Sequence, residues 1–381
     1  ETVGGRMLVV VDTDASDGTG ERVLGSGRIR AYQQVWGGRH LPMGGVAGVY
    51  VDPAARGRGV ASTLGAALVQ RMTELGDVVS CLYPTAPTLY RGVGYEFGGA
   101  QTRFTYAADA LRALRSSGAG VSVRGAQPDD ADRFEALARA HHQQHRLSGP
   151  MLTTAQTWRA QLADPEMIHY LADDGFVTYS LSDGVLTVES LVAQSPATAA
   201  ALWSVVGSGS SAAPVVQAWL DPSDPVTLTA GALPDAGVHT VPWMLRLIDL
   251  PGAVSARGFA PGLTASASLT VADPEAPANT GTWTIAVSGG RGKAVLQQTS
   301  AVPTRTTHPQ SSGPFRTAPG PAASGHDDDP VRLGPRGLAA LWCGWTLSRL
   351  RQAALATGGT RSDDHTLDAI FAGQPFMTEY F

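Results

Sequence analysis

Residues 49–61 read Val-Tyr-Val-Asp-Pro-Ala-Ala-Arg-Gly-Arg-Gly-Val-Ala: a short apolar strand, a Pro-containing turn, a basic glycine-rich loop and the first turn of a helix. No other stretch limits the fold so tightly, because a strand fed through a tight loop into a helix is the building unit of a sheet with a crossover. From Val60 the apolar residues fall at Val60, Leu64, Ala67, Leu68, Met72 and Leu75, one face of a 3.6-residue period, and Gly76 takes the position of a C-terminal cap. The first turn of such a helix carries unpaired N–H groups and the positive end of its dipole. Glycines let an anion approach those groups, and Arg56 and Arg58 add charge, so residues 56–61 are a candidate phosphate cradle. The stretch has no Gly-Lys-Ser/Thr of a P-loop, and Gly57-Arg58-Gly59 lacks the third glycine of the dinucleotide fingerprint. An ordinary strand–turn–helix with a solvated basic turn has the same outline.

A chain of 381 residues suggests two to three domains. A hydrophobic content of 43% against 16% charged residues is enough for sizeable cores, and a net charge of −5 argues against a general nucleic-acid binder. No apolar run is long enough to span a bilayer. Cys81 and Cys343 both stand in apolar surroundings, which suggests two buried thiols in a reducing, cytoplasmic compartment and neither a disulfide nor a zinc site. His141 and His145 have a metal-like i, i+4 spacing but no carboxylate between them, so a packed or solvated face is expected and no metal. The first residue is Glu1, and an N-terminal segment is expected to be absent.

Strands are expected over residues 6–11, 23–32, 46–51 and 78–83, with a turn over 12–20 and the helix from Val60 before the last of them. That order implies a mixed sheet in which the strand before the cradle and the strand after the helix run parallel and splay into a cleft. Strand character resumes at 104–106, a short helix follows at 109–114 and a linker at 116–120. A longer helix is expected at 127–146, helical pattern again at 158–162, strands at 168–171, 176–181 and 185–192, a helix at 196–206 and a strand at 215–220. This repeats the first plan without the cradle. Residues 243–254 read as a bridge to strands at 263–271, 282–287 and 293–299. A Pro/Ser/Thr/Gly-rich loop is expected at 303–330, one firm helix at 338–355 and a short one at 367–371.

Residues 56–61 fit Arg-x-x-Gly-x-Ala, which resembles the acetyl-CoA pyrophosphate loop of the GNAT N-acetyltransferases, and residues 89–95, Leu-Tyr-Arg-Gly-Val-Gly-Tyr, resemble the Y-x-x-x-G-Y/F ending of the same core. The whole order resembles the Eis (enhanced intracellular survival) acetyltransferases. The resemblance implies an α+β chain: a GNAT domain over residues 1–116, a GNAT-like domain without a cofactor site over 117–256, and a sterol-carrier-protein-like α/β sandwich over 257–381. It implies acetyl-CoA as cosubstrate, with Val49 and Val51 along its pantetheine arm, Arg56, Gly57, Arg58, Gly59, Val60 and Ala61 at its pyrophosphate, and Thr85 in contact with it. Tyr90 would protonate the departing thiolate, as a phenol with an ordinary pKa near 10 can. The carboxylate of Phe381, the last residue, would reach back to deprotonate the amine, and the Val49 N–H would face the oxyanion.

The resemblance further implies a homohexamer and acetyl transfer to aminoglycosides or other polyamines. Gly48 before Val49, and Tyr380 beside Phe381, depart from the family pattern, which leaves open a dedicated acyltransferase tailoring one natural-product amine. A non-catalytic protein that uses the third domain to hold an apolar ligand is the remaining alternative.

Overall fold

In the computed structural model the described residues are 5–13, 22–231, 233, 236–297 and 329–381. The turn expected at 12–20 lies mostly outside them, as do residues 303–328 of the expected loop. The first unit comprises β1 (Met7–Asp12), β2 (Arg22–Trp36), β3 (Arg39–Val51), α1 (Val60–Glu74), β4 (Val79–Leu82), α2 (Pro87–Gly92), β5 (Glu96–Ala107) and α3 (Ala108–Arg112). The apolar face of α1 meets the sheet as its spacing predicts: Val60, Leu64, Leu68, Val69 and Met72 are buried, and Gly76 follows the helix at φ +76°.

The second unit holds β6 (Arg124–Gly125), α4 (Ala131–Gln144), α5 (Ala155–Leu162), β7 (Met167–Ala172), β8 (Gly175–Ser182), β9 (Val185–Ala193), α6 (Pro196–Gly207), β10 (Val215–Trp219) and α7 (Val226–Thr229). β11 (His239–Leu247) and α8 (Leu250–Ala256) follow. The third unit contains β12 (Ala265–Val271), β13 (Gly281–Ser288), β14 (Arg291–Leu296), β15 (Val331–Leu333), α9 (Pro335–Trp342), α10 (Leu347–Gln352), β16 (Ala356–Thr357), α11 (Arg361–Phe371) and β17 (Phe376–Met377). The architecture is α+β.

Two differences from the expected layout follow from burial and backbone. Residues 243–254 are more than a bridge: β11 enters the first unit's sheet between β4 and β5, antiparallel to both. Its last five residues, 243–247, are all buried, as a central strand requires. The two units thereby share one sheet among the described residues, ordered β1-β2-β3-β4-β11-β5-β10-β9-β8-β7-β6, with β17 added on β5. The helix expected at 338–355 is broken in two. Gly344 stands at φ +90°, where a Cβ would collide with the Gly373 carbonyl, and α10 restarts with Leu347 N–H donating to Asp368 Oδ1 at 2.8 Å.

The third unit is fused to the first through a common core that joins Trp36, Met43 and Cys81 to Trp243, Leu269, Trp283, Trp342 and Phe371. Cys81 and Cys343 are both buried and free. Two buried polar links lie at this junction. Arg246 of β11 meets Asp273 at 2.7 Å with both side chains fully buried. Arg257 lies among the rings of Trp36, Phe259, Trp342 and Phe371, its guanidinium carbon 4.6 Å from the Trp342 centroid. Burial pulls the Arg257 guanidinium down to about 10, still charged at neutral pH, and its Nη1 donates to the Trp342 carbonyl at 2.8 Å.

Candidate active site

A cleft opens in the first unit because β3 and β4 part. They pair in parallel at Met43↔Val79, Gly44↔Ser80 and Gly45↔Cys81. Beyond that point β3 runs on to Val51 while β4 ends at Leu82. β3 also bulges: Tyr50 faces Ser26 and Ala47 faces Arg28, so Gly48 and Val49 oppose Gly27 alone and have no partner in the ladder. Gly48 makes the bend at φ +59°. Val49 and Val51 are half-buried along the wall of the cleft.

At its far end β3 enters the cradle. Asp52 caps a short turn over Pro53–Ala55, accepting from Ala54 N at 2.9 Å. Gly57 and Gly59 then take φ +78° and +79°, with open space where their side chains would be. Gly59 is the N-cap of α1 and provides no side-chain cap, so the first amides of the helix, beginning at Val60 and Ala61, are left to an outside acceptor. Arg56 and Arg58 are exposed on the same loop, Arg58 paired to Asp12 at 3.0 Å. Thr85 is exposed in the segment between β4 and α2.

Tyr90 projects from α2. It is half-buried, 6.1 Å edge-on from the Tyr95 ring, and burial raises its phenol, which keeps it protonated at neutral pH. Tyr95 is fully buried, with its hydroxyl 2.7 Å from Ser80 Oγ. The helix carrying Tyr90 is held by a charge cluster in which Glu96 takes Arg91 at 2.8 Å and Arg336 of α9 at 2.6 Å.

The end of the chain returns to this cleft. β17 pairs in parallel with β5 at Phe376↔Ala100 and Met377↔Gln101. Gln101 Nε2 donates to the Thr378 carbonyl at 2.6 Å, and Tyr83 Oη donates to the Glu379 carbonyl at 2.6 Å. The Glu379 carboxylate accepts from Met151 N at 3.0 Å. Phe381 places its ring 5.1 Å from that of Tyr32 and 5.6 Å from that of Tyr83. A Cβ at Gly45 would lie 2.8 Å from the Phe381 ring, so the terminal residue is seated where β3 and β4 begin to part. The structure thus puts Val49, Val51 and the 56–61 loop on β3 and just beyond it, Thr85 and Tyr90 on the segment and helix that follow β4, and Phe381 against Gly45 where the two strands begin to part. Sequence reasoning missed the residues that hold the tail: Tyr32, Tyr83, Gln101 and Met151 come from four separate segments, and no local pattern marks them.

A cavity of about 1380 Å³ lies behind the tail, lined mainly by the second unit and by Thr378, Glu379 and Tyr380. The His141 and His145 rings lie 4.5 Å apart there, tilted by 49°, and burial drops His141 to about 4. Asp224 is pushed up to about 6, first by burial and then by neighbouring Asp221. A folded pKa above the ordinary 3.8 means that this site favours folding at acid pH, and that the benefit is lost as pH rises from about 4 through about 6. Asp224→Asn keeps the acceptor for Val226 N, now 2.8 Å away. It is expected to raise stability at pH 8 by at most about 3 kcal/mol and to leave it unchanged near pH 4, as read from thermal melts.

Residues 2–98 and 149–247 each match an acetyltransferase (GNAT) domain family, and residues 250–378 match the sterol carrier protein domain family. An uncharacterized N-acetyltransferase of Streptomyces griseus is 26% identical over 307 residues, 70% of each chain. Eis1 from Mycobacterium abscessus shares the fold, with TM-score 0.70, 19% identity, and coverage of 99% of this chain and 91% of that one. A GCN5-related N-acetyltransferase from Kribbella flavida superposes with TM-score 0.86 and 42% identity, over 99% of this chain and 87% of the other. With that identity sustained along its length, and with the strand splay, glycine loop and helix in place, the chain belongs to the GCN5-related N-acetyltransferases, enzymes of the transferase class.

Proposed function

We propose that this enzyme transfers the acetyl group of acetyl-CoA to an amine of a polyamine or aminoglycoside by direct attack, as an Eis-type acetyltransferase. The observation that carries the reading is the seat of Phe381 against Gly45, Tyr32 and Tyr83, on the same strand that runs into the 56–61 loop. From Gly45 to Val51 that strand covers about 20 Å, room for a long linear arm between the loop and the terminal carboxylate. The open amides at the start of α1, with Arg56 and Arg58, hold the pyrophosphate, Val49 and Val51 line the arm, and Thr85 closes its other side.

The Phe381 carboxylate takes a proton from the substrate ammonium, freeing the lone pair of nitrogen for the thioester carbonyl carbon. The Val49 N–H, released from the ladder by the bulge, faces the oxygen on which charge develops. As the carbon–sulfur bond breaks, the Tyr90 phenol gives its proton to the thiolate, and the second proton that the nitrogen sheds on becoming an amide restores the phenol. The Eis reading rests on the order of three units and on the docked terminal phenylalanine. It carries with it a homohexamer, to be read by light scattering, and a cytoplasmic setting, which the two free buried thiols suit.

Release of free thiol from acetyl-CoA across an amine panel that includes spermidine and kanamycin tests the reading, and no turnover with any amine would sink it. Two variants locate the chemistry. Arg56→Ala is expected to raise the KM for acetyl-CoA roughly three- to tenfold with little change in kcat, as loss of one charge-assisted contact made equally in ground and transition states requires. Tyr90→Phe is expected to lower kcat about 10²-fold, with acetyl-CoA binding intact.

A further inference from the structure

The second unit has no open cradle: Ser195 caps its helix α6, accepting from Thr198 N at 3.3 Å. It contributes instead to a grip on the chain end. Residues 148–152 leave α4 and run beside the end of β2. Gly149 N donates to the Val35 carbonyl at 2.7 Å, Val35 N to the Pro150 carbonyl at 2.8 Å and Leu152 N to the Gln33 carbonyl at 2.9 Å. The fully buried Gln34 donates from Nε2 to the Gly149 carbonyl at 2.9 Å. β2 pairs in turn with β3, the strand that holds Gly45, so residues 148–152 are fixed relative to the seat of Phe381.

The same segment binds the tail. Phe376 N donates to the Ser148 carbonyl at 3.1 Å, and Met151 N to the Glu379 carboxylate at 3.0 Å. The approach is close: Gly149 stands at φ +109°, and a Cβ there would collide with the Phe376 carbonyl. From the first unit the Tyr83 hydroxyl donates to the Glu379 carbonyl at 2.6 Å. The Tyr83 ring lies 4.5 Å from that of Tyr380 and 5.6 Å from that of Phe381.

Both grips converge on Glu379, its side chain held by the second unit and its carbonyl by the first. The carboxylate also accepts from Thr378 N at 3.3 Å, so it serves here as an acceptor for main-chain amides. Phe381 follows two positions later. A chain end that is not tied down frays, and a general base works only within hydrogen-bond reach of the proton it takes.

We propose that Glu379 is a positioning residue for acetyl transfer: anchored on Met151 and Tyr83, it fixes the carboxylate of Phe381. The second unit thereby serves the chemistry of the first by holding its base. The inference rests on the reading of Phe381 as that base.

Two measurements on the full chain test it. One is kinetics with acetyl-CoA and spermidine, or kanamycin where spermidine is not turned over. The other is digestion by carboxypeptidase A, which releases an unseated terminal phenylalanine. Glu379→Ala is expected to lower kcat about 10- to 10²-fold, the cost of misplacing a reacting group by about an ångström, with the KM for acetyl-CoA unchanged. Glu379→Gln keeps an oxygen for Met151 N and should recover most of that loss. Tyr83→Phe should also lower kcat. Glu379→Ala and Tyr83→Phe should each speed release of Phe381 at least about fivefold, the weight of one stranded hydrogen-bonding group. In protein lacking Phe381 neither substitution should lower the residual rate further. Should Glu379→Ala fail to fold in thermal melts, Tyr83→Phe carries the same expectations.

Parent-like kcat in Glu379→Ala, an equal loss in protein lacking Phe381, or unchanged release of phenylalanine would each overturn the proposal. So would a raised KM for the amine that Glu379→Gln does not relieve, since Glu379 also lines the cavity and would then be meeting the substrate itself. Removal of Phe381 separates the two readings. If that removal is damaging while Glu379→Ala is parent-like, the base stands and the positioning role falls. If it leaves kcat intact, both fall.

Discussion

Removal of Phe381 is expected to lower kcat/KM for the amine about 10²- to 10⁴-fold, the range spanned by a positioned general base. Acetyl-CoA affinity should change little, because the loop and strand proposed to hold it lie at the other end of β3. Appending one alanine after Phe381 should be nearly as damaging, since the ring keeps its seat against Gly45 while the carboxylate moves one residue on. Phe381→Leu keeps the carboxylate and loses the ring contacts with Tyr32 and Tyr83, so a smaller loss is expected. Steady-state kinetics of the three variants, with thermal melts to confirm folding, decide the matter. If the extended protein turns over like the parent, the base lies elsewhere.

The largest effect on stability is expected at Asp273. Its Oδ1 accepts from Arg246 Nη2 at 2.7 Å and from Ala276 N at 3.1 Å, and its Oδ2 from Asn279 Nδ2 at 3.3 Å. Asn279 in turn accepts from Leu250 N at 2.8 Å and donates to the Ile248 carbonyl at 3.2 Å. Asp273→Ala therefore strands a buried guanidinium and loosens the passage from β11 to α8 in one step. The expected cost is about 3–5 kcal/mol, a fall in Tm on the order of 10 °C. Replacing both partners by apolar residues, Arg246→Met/Asp273→Leu, should cost less than Asp273→Ala alone, because no charge is left unpaired. Denaturant titrations of the three proteins check the order. Equal stability of Asp273→Ala and the parent would show that Arg246 finds another partner.

Much of the first unit could be read from the chain. The helix from Val60 declared itself through its apolar spacing, and Gly76 through the need for a left-handed residue after it. The glycines of the cradle were legible as room for an anion at the helix amides; their left-handed backbone, at φ +78° and +79°, was not. The path of β11 was not: residues 243–247 are apolar but for Arg246 and do not alternate, a pattern that suits any fully buried segment and does not say which two strands it will separate. The break at Gly344 was hidden because the glycine is required by a contact with Gly373, 29 positions further along, and not by its neighbours. Hidden too was the cavity behind the tail, whose carboxyl groups come from positions 164, 189, 221, 224 and 379, each unremarkable in its own surroundings. Local chemistry is written locally, whereas a concavity exists only once distant segments meet.

The tail's path through β5, Tyr83 and Gly45 has a consequence for synthesis in the cell. On the proposed mechanism the base is a chain-end carboxylate, which exists only once the polypeptide is released from its tRNA, about 130 residues after β11 has completed the first unit's sheet. On that mechanism a ribosome-bound nascent chain, one cut short by premature termination, or one carrying a fusion partner after Phe381 is expected to bind acetyl-CoA without turning it over.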